Sequence, residues 1–160
     1  MTIAAGETIP SVTLHTMGAD GPGPVSTDEI FKGKKVVAFG LPGAFTPTCS
    51  AKHLPGFVEH IDAIKAKGID SVVCISVNDA FVMGAWGKDQ GAGDKVRMLA
   101  DGSADFTRAA GLEFDLSDKG LGVRSKRYAM VVEDGVVKAL NLEDGGGLTI
   151  SSAESILDVL

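Results

Sequence analysis

The sequence contains few aromatic residues and few cysteines. Aromatic side chains make up 6% of its 160 residues, and two residues are cysteine. Two cysteines cannot build a disulfide framework, which excludes a small extracellular scaffold. No apolar run approaches the roughly 20 residues that a membrane-spanning helix requires. Met1–Thr16 lacks the basic start and apolar run of a secretory signal. We therefore expect a soluble cytoplasmic protein that does not enter a membrane.

Positive charge is also scarce. Lysine and arginine total 15 against 21 aspartate and glutamate residues, which leaves a net charge of −6. A nucleic-acid-binding surface needs clustered cations, so we expect no nucleic-acid partner. Apolar residues are plentiful at 44% of the total, and 22% are charged. This composition and length predict a single folded domain over residues 1–160 with a well-buried core.

Three short apolar runs, each bounded by residues that interrupt secondary structure, predict strands buried on both faces. They are Val36–Leu41, Ile69–Val77 and Val96–Ala100. Between the first two, Cys49–Lys67 repeats apolar residues at intervals of three and four, which predicts an amphipathic helix. Pro55 lies inside this helix and should kink or disturb it. A strand, a crossover helix and a second strand predict a right-handed unit with a parallel strand pair.

The C-terminal part of the chain shows a different pattern. Arg127–Glu133 and Val136–Leu142 flank Asp134-Gly135, which is a strong hairpin signal. Ser151–Leu160 predicts a closing helix. Gly18–Pro24, which is rich in glycine and proline, is expected to form a loop. Together these elements predict an α/β, thioredoxin-like fold in which helices flank a central mixed sheet.

The chemically informative segment starts at Pro42, where the first buried strand ends, and reaches Cys49 at the start of the helix. A cysteine in the first turn of a helix lies near the positive end of the helix dipole and near unpaired backbone N–H groups. Both favour the reactive thiolate, so we expect an ionised sulfur open to solvent at the mouth of the helix. The alternative is that Cys49 is a small buried apolar residue, which is common for free cysteines.

The spacing Pro42-x-x-x-Thr46-x-x-Cys49 resembles the active-site pattern of peroxiredoxins. The longer run FGLPGAFTPTCSAKHLPGF, Phe39–Phe57, is similar to the peroxiredoxin 5, or type II peroxiredoxin, subfamily. The resemblance continues through most of the chain, in Val72–Gly87, Lys95–Asp101, Gly120–Glu143 and Gly147–Leu157. It implies an antioxidant thiol peroxidase that reduces hydrogen peroxide and small organic hydroperoxides.

The resemblance also implies a role for each residue of the pocket. Cys49 corresponds to the peroxidatic cysteine, which the peroxide oxidises to a sulfenic acid. Thr46 and Pro42 complete the pocket, and we expect the Thr46 hydroxyl both to accept from and to donate to the peroxide. The catalytic arginine of the family corresponds to Arg127, and Arg124 is the nearby competitor for that role. The alternative for either arginine is a solvated surface charge.

A sulfenic acid has to be reduced by a second thiol. Cys74 is the only other cysteine and is a possible resolving residue, although its apolar surroundings favour a buried packing role. Some members of the family carry a resolving cysteine near the C-terminus, where this chain has Ile150. The resemblance therefore implies an external reductant, with glutathione, alone or through glutaredoxin, favoured over thioredoxin.

No metal or organic cofactor is expected. Cys49 and His53 lie four residues apart on the predicted helix, but too few further ligands are in view to complete a metal site. We instead expect His53 to cap or pack near the pocket. The resemblance implies a peroxidase without metal, haem or flavin.

Two further expectations concern partners and rival functions. The resemblance suggests that Phe45, Phe81 and Trp86 lie near a dimer contact beside the active site, which predicts a homodimer. A rival function is a peroxide-sensing or chaperone-like protein that uses oxidation of Cys49 as a signal. A general disulfide oxidoreductase is disfavoured because the sequence contains no Cys-x-x-Cys.

Overall fold

The computed structural model describes residues 1–145 and 147–160. The strands are β1 Thr13–Gly18, β2 Gly21–Ser26, β3 Lys35–Leu41, β4 Ser71–Ser76, β5 Arg97–Ala100, β6 Glu113–Leu116, β7 Gly122–Ser125, β8 Tyr128–Glu133 and β9 Val136–Leu142. The α-helices are α1 Thr27–Phe31, α2 Leu54–Glu59, α3 Ile61–Ala66, α4 Ala80–Asp89, α5 Asp105–Ala109 and α6 Ala153–Leu157. A π-helix covers Cys49–His53, and a short 3-10 helix covers Ser117–Lys119. Within the described residues, no helix is both long and apolar enough to cross a bilayer.

The main sheet is mixed and has seven strands in the order β2-β1-β5-β4-β3-β8-β9. Its centre is parallel, because β3 pairs with β4 and β4 with β5, whereas β8 pairs with β3 in the antiparallel sense. Side chains of β3 alternate between two cores, with Phe39 on one face and Ala38 on the other. Helices α2, α3, α4 and α6 pack on the first face, and α1 and α5 on the second. This arrangement confirms the predicted fold class and places all three apolar runs in strands.

The predicted helix over Cys49–Lys67 forms in three pieces. In the π-helix the Leu54 N–H donates to the Cys49 carbonyl, a wider turn than that of an α-helix. The chain then passes into α2 and restarts as α3 after His60. Pro55 has no N–H to donate to the preceding turn, so the ordinary ladder is broken there. The predicted disturbance is confirmed, and it falls on the turn that carries Cys49.

The prediction of a loop over Gly18–Pro24 is wrong. Most of this segment is β2, which pairs antiparallel with β1 and forms an edge of the main sheet. Pro22 and Pro24 lack the N–H that a central strand would need for pairing on both sides. An edge strand has one unpaired side and tolerates proline there. The glycine- and proline-rich composition of this segment therefore predicted a loop where an edge strand forms.

The C-terminal hairpin and closing helix are confirmed. Asp134 and Gly135 have φ values of 49° and 78°, and this pair of positive values is typical of the type I′ turn that suits a two-residue hairpin. The closing helix is α6, shorter than predicted, with the Ser152 hydroxyl accepting from the Ser155 N–H at 3.1 Å. That bond is the N-terminal cap expected of a serine at this position.

Gly40 provides a test of packing in the centre of the sheet. A Cβ added at Gly40 would clash with the ring of Tyr128, a residue that is 1% exposed. We expect Gly40→Ala to lower the free energy of unfolding by about 1–3 kcal/mol, the usual cost of overpacking. Urea unfolding of reduced protein measures this change. Gly23→Ala is the matched control, because a Cβ there meets nothing within 4 Å. Equal midpoints for the two variants would contradict the prediction.

Candidate active site

The segment from Pro42 to Cys49 follows the carboxyl end of β3, where sites in open α/β sheets commonly lie. The Thr46 carbonyl accepts from the Ser50 N–H at 2.9 Å, which closes the first helical turn. Phe45 has a φ of 63°, a left-handed conformation that is strained for a bulky residue. Backbone strain of this kind is concentrated at functional sites. The loop therefore places Cys49 beyond the carboxyl end of β3, in the centre of the main sheet.

The expectation that the Cys49 sulfur is open to solvent is wrong for this conformation. Cys49 is 0% exposed and belongs to the core cluster with Leu54 and Trp86. Ala44, on the loop, packs against the same cluster. The sulfur is therefore enclosed within this core cluster. The position of a cysteine in the first turn of a helix predicts its place relative to the helix dipole. It does not predict whether other elements of the fold cover the sulfur.

Arg127 lies immediately before β8 and reaches the cysteine from the neighbouring strand. Its guanidinium is buried, with the residue 3% exposed, so the alternative of a solvated surface charge is wrong. Nη2 donates to Cys49 Sγ at 3.4 Å, and Nη1 lies 3.0 Å from Nδ1 of His53. Within the described part of the chain, Arg127 Nε is a buried polar atom without a hydrogen-bond partner. A fixed cation therefore points at the sulfur, and its Nε–H remains unused.

His53 holds the other side of that guanidinium. Its Nε2 lies 2.9 Å from the Ser151 carbonyl, which only accepts, so Nε2 carries the proton and Nδ1 accepts from Arg127. Burial and the charge of Arg127 lower the pKa of His53 to about 3, which keeps the ring neutral at physiological pH. The prediction that His53 packs near the pocket agrees with this geometry. The four-residue spacing between Cys49 and His53 was the sequence feature that indicated a position near the pocket.

The Thr46 hydroxyl is already committed as a donor. It donates to the Gly43 carbonyl at 2.7 Å. A hydroxyl has one proton and two lone pairs, so Thr46 Oγ1 retains the capacity to accept. The expectation that this hydroxyl both accepts from and donates to a ligand is therefore wrong in this conformation. Its oxygen remains an acceptor, three residues before Cys49 in the chain.

Arg124 supports the loop and makes no recorded bond to the sulfur. Its Nη1 donates to the Pro42 carbonyl at 3.2 Å and its Nε to the Leu121 carbonyl at 2.9 Å. A Cβ added at Gly43 would lie 2.5 Å from that Nη1, so a larger residue there would make the guanidinium shift. Pro42 itself is half-buried at the end of β3. Of the two candidate arginines, Arg127 is the one that contacts Cys49.

Cys74 lies in the middle of β4, with Phe39 and Met98 as its neighbours in the flanking strands. It is 0% exposed, and burial, with a smaller contribution from Cys49, raises the pKa of its thiol well above the usual value. Such a thiol stays protonated and is held in place by pairing on both sides. These features match the packing role favoured by its apolar surroundings.

The three aromatic residues predicted near a dimer contact have different environments. Phe45 and Phe81 are exposed, at 53% and 66%. Trp86 is fully buried, and its Nε1 donates to Ser50 Oγ at 2.9 Å. A partner subunit could contact the two phenylalanines, but not Trp86 in this conformation. Trp86 instead anchors the turn that carries Cys49.

No group of three or more metal-ligating side chains occurs in residues 1–145 and 147–160. The neighbours of Cys49 include a cation, Arg127, and a histidine whose Nδ1 already accepts from it. Donors that are fixed in advance beside a sulfur are the arrangement that stabilises negative charge developing there.

Comparisons with known proteins agree on one family. Residues 4–157 match the family model described as Redoxin. A rice protein named Peroxiredoxin-2E-2, chloroplastic, is 56% identical over 164 residues, covering 99% of this chain and 73% of that protein. The chain belongs to the redoxin family, as a peroxiredoxin.

Solved structures show that the similarity covers the full length of both proteins. Reduced Prx3 of Vibrio vulnificus, in complex with H2O2, is 50% identical with a TM-score of 0.95, over 99% of both chains. A Burkholderia cenocepacia protein described as a thioredoxin reductase is 52% identical with a TM-score of 0.98, over 100% of this chain and 99% of that one. The present chain lacks a Cys-x-x-Cys pair, so that description does not extend to it. Its activity is that of a thiol peroxidase, and the resemblance of its sequence to peroxiredoxins is confirmed.

Proposed function

We propose that Cys49 is the peroxidatic cysteine of this thiol peroxidase, with hydrogen peroxide and small organic hydroperoxides as substrates. The observation that carries the proposal is the buried Arg127 guanidinium donating to Cys49 Sγ at 3.4 Å. The thiolate attacks one peroxide oxygen, the O–O bond breaks, and Cys49 becomes a sulfenic acid. The leaving oxygen takes a proton and departs as water or an alcohol. Arg127 stabilises the thiolate and the charge that develops on the leaving oxygen.

Thr46 and Pro42 orient the substrate in this proposal. Thr46 Oγ1 accepts the peroxide O–H, because its own proton is donated to Gly43. Pro42 has no N–H and presents a carbon surface that keeps water from the sulfur. Its carbonyl is held by Arg124. The Thr46 acceptor and the fixed Arg127 guanidinium leave a small oxidant few orientations, which is how positioning lowers a barrier.

The Thr46 acceptor has a measurable consequence. We expect Thr46→Val to lower the second-order rate constant for oxidation of reduced enzyme by hydrogen peroxide about 10- to 100-fold, the usual effect of losing one hydrogen bond in the transition state. Stopped-flow measurement in a single turnover gives this constant. Thr16→Val is the matched control, because the Thr16 hydroxyl also donates to a carbonyl, that of Met98, in another part of the sheet. A Thr46→Val rate equal to that of the control would contradict the role.

The closed sulfur sets a condition on substrate access. Pro42 and Thr46 are half-buried, and Ala44 packs on the cluster that contains Cys49. Hydrogen peroxide is little larger than water, so a small displacement of this loop opens a path to Sγ. Loop motions occur within nanoseconds to microseconds, much faster than ordinary turnover. The described conformation is the closed one, and peroxide enters when the loop moves.

An external thiol reduces the sulfenic acid in this proposal. Cys74 is buried and paired between two strands, and Ile150 occupies the position at which some relatives carry a resolving cysteine. Cys74 could reach Cys49 only by disrupting the sheet, and Ile150 has no thiol. We therefore favour glutathione, used directly or through glutaredoxin, over thioredoxin.

Steady-state peroxide turnover with glutathione, glutaredoxin and thioredoxin tests the reductant, in wild type and in Cys74→Ser. We expect the fastest turnover with glutathione and glutaredoxin, and equal rates for the two proteins. Loss of turnover in Cys74→Ser would make Cys74 the resolving cysteine. Rapid oxidation in a single turnover that remains slow with every reductant would favour the rival, a peroxide sensor.

A homodimer fits the exposed aromatic residues beside the site. Phe45 and Phe81 each leave more than half of their surface in solvent, and the Phe45 ring lies 6.4 Å from that of buried Trp86. Phe45 belongs to the active-site loop and Phe81 to α4, the helix of Trp86, and exposed aromatic side chains of this size fit a contact surface. Sedimentation velocity tests this assignment: the wild type should sediment as a dimer and Phe81→Glu as a monomer. A monomeric wild type would exclude it.

We place the protein in the cytoplasm. Both cysteines are free thiols, and a glutathione-dependent cycle requires a compartment that keeps thiols reduced. The name of the rice relative places that protein in the chloroplast, which is a different compartment. Immunoblotting of cell fractions distinguishes the two.

A further inference from the structure

A carboxylate far from Cys49 in sequence holds the C-terminal segment against the site. Oε2 of Glu143 accepts from the backbone N–H groups of Thr149, Ile150 and Ser151, each at 2.8 Å. It also accepts from Ser151 Oγ at 2.7 Å, and Oε1 accepts from Thr149 Oγ1 at 2.6 Å. We call Glu143 and the residues 149–151 that it binds the glutamate clamp. Every donor of the clamp comes from one short stretch of chain.

The clamp holds a charged group in a buried place. Glu143 is 6% exposed. Burial raises the pKa of its carboxyl, but the hydrogen bonds from Thr149 and Ser151 outweigh that effect and lower the pKa to about 2. A buried carboxylate with so many donors is firmly oriented. The segment that supplies the donors is held equally firmly.

The clamp connects directly to the Cys49 site. The carbonyl of Ser151, whose N–H and hydroxyl bind Glu143, accepts from Nε2 of His53 at 2.9 Å. His53 Nδ1 then accepts from Arg127, and Arg127 donates to Cys49 Sγ. The backbone provides a second link, because the Glu143 N–H donates to the Arg127 carbonyl at 3.0 Å. Glu143 thus fixes the backbone of Arg127 through its own N–H, and through its side chain it holds the Ser151 carbonyl that binds His53.

We propose that Glu143 is a positioning residue for the peroxidatic site, acting through the Ser151 carbonyl to set the tautomer of His53 and thereby the direction of Arg127. A fixed Ser151 carbonyl requires the proton on Nε2, which leaves Nδ1 as an acceptor. Without the clamp the carbonyl moves and the imidazole can take the other tautomer. Its Nδ1–H would then face an arginine N–H, two donors opposed, and the guanidinium would turn away from the sulfur. This inference rests on the proposed function of Cys49.

A neutral acceptor suits this task better than a carboxylate would. A carboxylate beside Arg127 would form an ion pair and offset the positive charge that the Cys49 sulfur faces. His53 accepts from the same guanidinium without charge, because its pKa of about 3 keeps the ring neutral. The negative charge of Glu143 is instead engaged by the donors of residues 149–151. The protein therefore orients its arginine without an adjacent anion.

Two substitutions separate the hydrogen bonds of the clamp from its charge. Glu143→Gln keeps an amide oxygen for the three N–H donors and Ser151 Oγ, while its NH2 donates to the Thr149 hydroxyl, which accepts as well as donates. Glu143→Ala removes every bond. Reduced protein is mixed with hydrogen peroxide in a single turnover, which needs no reductant, and the rate constant for oxidation is measured. In parallel, two-bond 1H–15N spectra report the tautomer of His53, one of three histidines in the chain.

We expect Glu143→Ala to lower the rate constant about 10-fold or more, as loss of an orienting partner typically does, and to lose the Nε2–H signature of His53. Glu143→Gln should stay within about threefold of the wild type and keep that signature, whereas a purely structural role would leave the tautomer unchanged in both. An unchanged rate and tautomer in Glu143→Ala would overturn the inference, as would equal losses in the two variants. If wild-type Cys49 itself resists peroxide, the proposed function fails instead.

A weaker pair of variants keeps the inference testable if Glu143→Ala does not fold. Thr149→Val and Ser151→Ala each remove one hydroxyl donor and leave the Ser151 carbonyl in the chain. Ser151→Ala acts next to the carbonyl that binds His53, and Thr149→Val acts two residues away. We expect the larger rate loss and the larger tautomer shift in Ser151→Ala. No change in either measurement for both variants would contradict the proposal.

Discussion

Replacing Cys49 with serine is expected to lower peroxide reduction by more than about a thousandfold, since loss of an enzymic nucleophile costs up to about 10^6. The serine hydroxyl occupies the same position beside Arg127 but is not ionised at neutral pH, and it cannot form a sulfenic acid. Peroxide consumption with glutathione and glutaredoxin present measures the loss. Because Cys49 lies in the core, circular dichroism should confirm that the variant is folded.

Cys74→Ser is the matched control for that experiment, since it makes the same chemical change at the only other cysteine. Cys74 contacts neither Arg127 nor His53 through any recorded hydrogen bond, and its buried thiol is protonated. We expect it to retain peroxide reduction. Substantial turnover by Cys49→Ser that disappears in the double variant would reassign the nucleophile to Cys74.

The second large effect is expected at Arg127. Arg127→Lys should lower the rate constant for oxidation by hydrogen peroxide about 100- to 1000-fold, the range typical of losing a donor that stabilises developing charge. The guanidinium reaches Cys49 with Nη2 and His53 with Nη1, whereas a lysine has one nitrogen on a flexible stem. A lysine bound to His53 would not reach the sulfur. Single-turnover stopped-flow kinetics measure the constant.

Arg124→Lys is the comparison that distinguishes the two arginines. Arg124 holds the carbonyls of Pro42 and Leu121, so its replacement loosens the loop without removing a donor from the sulfur. We expect a rate loss clearly smaller than that of Arg127→Lys. The reverse ranking would show that Arg124, the competitor that sequence proximity left open, is the residue that stabilises the reacting atoms.

Elements with a local cause were predictable from the sequence. Val36–Leu41 forms a strand because a continuous apolar run is stable only when both faces are covered, and Asp134-Gly135 forms a turn because both residues accept positive φ. The hairpin of β1 and β2 was missed because prolines and glycines carry no strand signal. Its position at the sheet edge, which makes those prolines acceptable, is a property of the assembled sheet.

As with the fold, the parts of the site that lie close together in the sequence were predictable. The spacing of Pro42, Thr46 and Cys49 lies within one loop, and resemblance to a family pointed to Arg127 from a distant strand. Neither source indicated that Thr46 donates its proton to Gly43, because that depends on how the loop bends. No sequence pattern indicated a role for Glu143. It binds mainly backbone N–H groups, which every residue has, and it acts on His53 through a backbone carbonyl.

The sequence by itself determined the fold class and the family and pointed to Cys49 as the nucleophile, because apolar runs, a turn dipeptide and a closely spaced motif act over a few residues. The tertiary structure alone decided that the Cys49 sulfur is covered, that the Thr46 hydroxyl donates to Gly43, and that His53 is a neutral acceptor beside Arg127. The first and the last of these depend on groups from distant parts of the chain being brought into contact, and the second depends on how the loop bends. Burial and the proton position on an imidazole are set by all the neighbours together, and those neighbours exist only once the sheet and its helices have assembled.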